Sequence, residues 1–311
     1  MQDNLLLKRN AKKRLWQRNI PLILLALPGF IYLVLFNYLP MFGVVIAFKD
    51  FSYIKGILGS DWVGFKYFRF FFESNDAAVV IRNSVLYQVW FHIIGTVCSI
   101  VVALLLYNIE SRRALKVYQT VIIIPYFISW VLVAYLGFAL FSNRFGILNS
   151  VLGNMGMAPI DWYAEPKYWP FILTLFYIWK GTGMSCIIYY ATLMGIDSSL
   201  FEAAKIDGAN RARCIWHVAI PALVPVICIM SILAIGSIMG GDFGLFYQVP
   251  RNSGALYSVT DIINTYVYRG LQAGNMSQTA AVGLFQSVVG LILVVITNVT
   301  IRKVSPENAM F

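Results

Sequence analysis

Residues 195–225 read GIDSSLFEAAKIDGANRARCIWHVAIPALVP. The run Ser198-Ser199-Leu200-Phe201-Glu202 places a capping hydroxyl with an acid close behind, as at a helix start. Leu200, Ala203, Ala204 and Ile206 favour a short helix. Gly208 lets the chain leave it, because glycine enters the left-handed region without a steric penalty. A second short helix is expected toward Trp216, and Pro221 fits the start of the apolar run that follows. The outcome is a helix-turn-helix elbow with small residues on its surface, able to seat closely in a groove of another protein.

Both flanks of this elbow are long and apolar. A helix needs about 20 mostly apolar residues to cross the hydrocarbon core. Six segments qualify: 20–48, 79–108, 117–141, 170–193, 217–241 and 278–301. Backbone groups in lipid must be satisfied within the segment, so helices are the expected form, and the short alternating strands of a membrane barrel do not occur. Pro21, Pro28 and Pro40 predict a kink or tilt in the first segment. That segment follows a basic stretch and has no small-residue cleavage site, which fits an uncleaved first span. Composition agrees: 59% of the 311 residues are hydrophobic and 12% charged, against about half and about a quarter in soluble domains. The chain is expected to be an all-α integral membrane protein, a single transmembrane domain over 1–311.

The net charge of +10 raises the question of nucleic acid. Its distribution answers it. With six alternating spans and the N-terminus inside, the inner segments carry a net charge of +8 and the outer ones +1. The surplus sits in the basic tail over 1–19, at Arg112, Arg113 and Lys116, in the 195–221 loop, and at Arg302 and Lys303. This asymmetry predicts both termini on the cytoplasmic side, with the tail at anionic membrane lipids and no nucleic-acid partner.

Intramembrane polar groups mark candidate paths for a solute. Lys180 lies about ten residues into the fourth span, roughly 15 Å from its outer end at about 1.5 Å per residue. It is expected either to meet the hydroxyls or an acidic group of a solute, or to pair with a backbone carbonyl or a partner's acid. Tyr177 and Met184 share its helical face. Tyr126 and Trp130 of the third span, Gln286 of the sixth and Asp242 beyond the fifth complete the candidates. Aromatics with a polar tip suit rings that are apolar on one face and hydroxyl-lined at the edge, and packing or lipid contact is the alternative for each. His92 and His217 stand apart from any partner, and Cys98, Cys186, Cys214 and Cys228 have no metal-ligand spacing. No catalytic or metal site is expected.

The elbow also fits the pattern E-A-A-x3-G-x9-[IV]-x-[IL]-P, from Glu202 through Gly208 to Pro221. On this motif the chain resembles permease subunits of ATP-binding-cassette importers. Stretches such as PGFIYLVLFNYLPMFGVVIAFKDF (28–51), IIIPYFISWVLV (122–133), DFGLFYQVPRNSGALY (242–257) and DIINTYVYRGL (261–271) extend the likeness to the type I sugar branch that handles oligosaccharides, including alginate, pectin fragments and glycans. Ile220 stands where leucine is commoner.

The resemblance implies the type I importer permease fold and a place in the bacterial inner membrane. It implies that Glu202, Ala203, Ala204, Asp207, Gly208 and Ala209, with Arg211 and Arg213 as ionic contacts, dock on an ATPase. It further implies a second homologous permease, two ATPase subunits and an extracellular lipoprotein or periplasmic binding protein that delivers the oligosaccharide. ATP and Mg would be bound by the partners, since the chain lacks the G-x-x-x-x-G-K-[ST] phosphate loop. An importer permease for another solute class, or a secondary transporter, is the alternative.

Overall fold

The computed structural model describes residues 19–304, and the basic tail, save Asn19, lies outside them. Five continuous helices are long and apolar enough to span a membrane: Asn19–Phe48, Asn75–Tyr107, Pro166–Met194, Arg211–Gly236 and Met276–Lys303. The sixth crossing is a bent pair, Arg112–Phe127 and Trp130–Phe141, which meet at 94°.

The span expected over 117–141 is present as this bent pair, a break the expectation did not include. Pro125 removes a backbone donor near the end of the first arm. Ile128 and Ser129 are extended, and the Ser129 side chain accepts from Leu132 N at 3.3 Å, starting a new helix. Hydropathy runs straight through the break because both arms are apolar.

The first span carries a π-helical turn at Val34–Tyr38 and a 3-10 stretch at Phe42–Phe48 around Pro40. These irregularities absorb the missing donor and ring clash of the proline. It packs on the last span through Phe42–Phe48, while Leu22, Leu25, Phe30 and Phe36 are exposed, as on a helix that faces lipid or another subunit.

The second and fourth spans form the central pair, and the first arm of the third packs on the fourth. Contact is close there: a Cβ on Gly183 would lie 2.1 Å from Ile122 O. Toward the 195–221 loop, Ile100, Ala103, Leu106, Tyr189, Leu193 and Leu223 form one apolar core. At the opposite end Phe91, Val133, Trp169, Phe176, Leu245 and Phe246 form another.

That opposite end is built from short pieces. Lys49–Asp50 pairs antiparallel with Asp61–Trp62, the amphipathic helix Lys66–Glu73 buries Phe71, and helices Phe243–Gln248 and Ile263–Gln272 cover the ends of the spans. Asp261 and Arg269 form a largely buried ion pair within this cap. The four cysteines are free thiols.

Candidate functional site

The 195–221 elbow folds as a hairpin, with two changes from expectation. Its first helix, Ser198–Ile206, is capped by Asp197, not by Ser198: Asp197 Oδ1 accepts from Ser199 N at 2.9 Å. Those Ser199 hydrogen bonds hold the Asp197 carboxyl below the usual carboxylate range. Gly208 turns the chain at φ +78°. Asn210 then caps a helix that does not stop near Trp216, since Arg211–Gly236 runs unbroken into the fifth span. A π-helical turn at Ile215–Ala219 accommodates Pro221, which cannot donate and would crowd an ideal helix.

Glu202, Ala203, Asp207 and Gly208 are exposed, and Ala204 and Ala209 are half-buried. Beside them Ile206 is 86% and Trp216 68% exposed, an apolar surface that water covers poorly. Arg213 is exposed. Arg211 is engaged within the chain: its Nε and Nη2 donate to Asn108 Oδ1 at 3.0 and 2.6 Å. Asn108 ends the second span and donates to Leu104 O at 2.6 Å. The Phe201 ring meets Tyr107 at 5.8 Å. The hairpin is thus fastened to the second span by one polar and one aromatic contact.

A second group of candidates meets at the break in the third span. Lys180 Nζ donates to Tyr126 O at 2.7 Å and approaches Pro125 O at 3.5 Å. It lies 5.5 Å from the Tyr126 ring centre and 5.1 Å from that of Trp130. These carbonyls are the open end of a helix that stops in an apolar layer, where a cation is the fitting partner. Asp242 caps Phe243–Gln248, accepting from Leu245 N at 3.2 Å, and lies within electrostatic reach of Lys180. Trp130 packs closely on Gly244, where an added Cβ would lie 2.0 Å from its ring.

Tyr177, Met184 and Gln286 are not part of that group. Tyr177 stacks on Phe91 at 4.2 Å and 10°. Gln286 donates to Asn264 Oδ1 at 3.1 Å. Met184 is exposed on the fourth span.

Tyr177 lines a cavity that the sequence reading missed. It lies between the second, fourth and fifth spans, with His92, Thr96, Ser99, Thr182, Ser185 and Ser237 in its wall. His92 Nε2 lies 2.8 Å from Ser231 Oγ. Among the described residues Ser99 Oγ and Thr182 Oγ1 are buried without a hydrogen-bond partner, which is costly in an apolar layer unless water or a solute completes them. The signal was present in the spacing: His92, Thr96 and Ser99 fall on one helical face, as do Thr182, Ser185 and Tyr189. Among the described residues no group of His, Cys, Asp and Glu could hold a metal ion.

Residues 95–306 match the family model of the binding-protein-dependent transport system inner membrane component. The chain is 38% identical to the polygalacturonan/rhamnogalacturonan transport system permease protein YteP of Bacillus subtilis (strain 168), over 98% of this chain and 96% of that protein. It is similar to a chain in the crystal structure of a bacterial alginate ABC transporter in complex with an alginate pentasaccharide-bound periplasmic protein. There the identity is 30% and the TM-score 0.84, over 93% of this chain and 96% of that one. A further structure, of a bacterial ABC transporter importing the acidic polysaccharide alginate, gives a TM-score of 0.85 at 30% identity, over 94% of this chain and 99% of that one.

Proposed function

We propose a mechanism for a chain that belongs to the family of binding-protein-dependent transport system inner membrane components. It is a membrane permease subunit of an ABC importer and not an enzyme. The solute is an oligosaccharide, as the relatives' names indicate. This chain forms half of the translocation path, a second homologous permease forms the other half, and the pair sits in the bacterial inner membrane. Both termini and the 195–221 hairpin face the cytoplasm. The opposite end receives an extracellular lipoprotein or periplasmic binding protein loaded with sugar. Two ATPase subunits hold ATP and Mg, and this chain binds no cofactor.

The observation that carries the coupling is the construction of the hairpin. One side presents Glu202, Ala203, Gly208 and Ile206 to solvent, while the other is fastened to the second span through Arg211–Asn108 and continues into the fifth. Closure of the ATPase pair on the exposed side moves the second and fifth spans together. The polar cavity lies between those spans and the fourth, so its shape follows nucleotide state. A solute bound there and ATP bound below then share one conformational equilibrium. His92, Thr96, Tyr177, Thr182 and Ser185 supply hydroxyl, imidazole and aromatic surface for sugar.

The test is ATPase activity of the reconstituted complex with its cognate binding protein across an oligosaccharide panel. Stimulation of several-fold by loaded binding protein, with one sugar class favoured, is expected. Equal activity with and without loaded binding protein across the panel sinks this reading.

A further inference from the structure

The cations at the end of the molecule away from the hairpin are nearly all occupied. Lys55, Lys66, Arg69, Lys167 and Arg269 each face an acid. Lys49 caps the carbonyls of Ile57 and Leu58, and Arg82 bonds Ser258 O and Asn83. Arg144 lies in an exposed turn. Arg251 is different. It is exposed, has no acidic partner among the described residues, and lines a cleft with Tyr135, Tyr247, Gln248 and Asn252.

Its position is held from three sides. The guanidinium carbon lies 4.2 Å from the centre of the Phe138 ring, on the second arm of the broken span. Arg251 and Asn252 both adopt left-handed backbone, at φ 55° and 49°, a conformation that asparagine tolerates and arginine takes at a cost. Tyr257 Oη fixes the turn by donating to Asn252 Oδ1 at 3.0 Å, and Ser253 Oγ donates to Tyr163 O at 3.0 Å. A strained turn thus presents the guanidinium to a cleft lined by no acidic side chain among the described residues. Stacking on Phe138 occupies a face of the fork and leaves its N–H edge for a planar, two-oxygen acceptor. Tyr135 and Tyr247 add aromatic surface for a ring, and Gln248 and Asn252 add amides for hydroxyls.

Resting on the oligosaccharide reading above, we infer that this cleft is a subsite for a sugar carboxylate, and that the transported oligosaccharide is acidic, with a uronate received by Arg251 at the outer mouth of the path. The strain is the cost of presenting the charge in advance. The carboxylate forms charge-assisted hydrogen bonds with a donor that needs no reorganisation.

The experiment uses the assembled complex in lipid nanodiscs without binding protein. Titration calorimetry follows short uronate oligosaccharides and their carboxyl-reduced, neutral counterparts. Wild type should bind the uronates about tenfold or more tighter than the reduced sugars, the range of a hydrogen bond to a charged group. Arg251→Gln should bring uronate affinity to the level of the reduced sugar and leave the reduced sugar unchanged. Arg251→Lys should keep part of the preference. No uronate preference in wild type, no loss in Arg251→Gln, or equal loss for both sugars overturns the assignment. So does an Arg251→Gln complex whose stimulation by loaded binding protein falls equally with acidic and neutral sugar, since the carboxylate would then belong to the binding protein. Failure of wild-type stimulation by every oligosaccharide is a separate result that removes the sugar reading itself.

Discussion

Gly208 shows how much a single position contributes to coupling. Its φ of +78° closes the hairpin, and an added Cβ would meet nothing within 4 Å in this chain. The direct cost of a side chain is therefore backbone conformation alone, about 1–2 kcal/mol. Any larger penalty must arise where the hairpin meets its partner. Gly208→Val is expected to lower the stability of the isolated permease by about that amount, yet to reduce ATPase stimulation by loaded binding protein at least tenfold in the complex. Thermal unfolding of the purified subunit and ATPase assays of the assembly read the two effects separately. Normal stimulation and uptake would remove the docking role. The turn was legible in the sequence because Gly208 follows an apolar-periodic run and precedes a second one. The cap was misplaced by one residue, since Asp197 and Ser198 are both good caps and only the backbone bond to Ser199 N decides between them.

At the scale of elements, all six spans could be read from length and hydropathy, which count apolar residues and ignore direction. What escaped in the third span was its bend, because a bend does not change composition. Pro125 and Ser129 were visible as a stop and a start four residues apart, but their weight came only from the partner that makes the break tolerable. That partner is Lys180. Its bond to Tyr126 O satisfies the open end of the first arm, and its position between Tyr126 and Trp130 holds the two arms at their junction. Lys180→Met keeps most of the side chain's length and removes the donor to Tyr126 O in an apolar layer, while Pro125 O keeps its bond from Ile128 N. The expected loss is about 1–3 kcal/mol, seen as a lower midpoint of thermal unfolding in detergent, with sugar selectivity retained. An unchanged midpoint together with altered selectivity would instead make the ammonium a sugar contact. The polar cavity was missed for a related reason: serines and threonines are common packing residues in spans, and only their convergence from three helices gives them meaning.

For the whole molecule, the question is how motion at the hairpin reaches the path. The fifth span needs no intermediary, because Arg211–Gly236 is one helix that begins inside the hairpin. The second span does need one, and Arg211–Asn108 is the polar link that the structure supplies. The resemblance to importer permeases implied Arg211 as an ionic contact on the ATPase surface, and the structure gives it a partner within the chain as well. Its acceptor lies 103 residues away and is uncharged, so no charge pattern could have exposed it. A bond in such a solvent-exposed place contributes about 1 kcal/mol, too little to hold the fold but enough to bias a two-state equilibrium several-fold. Arg211→Ala and Asn108→Ala are each expected to lower the sugar taken up per ATP hydrolysed by a few-fold in proteoliposomes. The double variant should be no worse than either single one, because both changes delete the same link. If the two losses multiply, each residue acts on a different partner, and the second span must receive its motion through Phe201 and Tyr107.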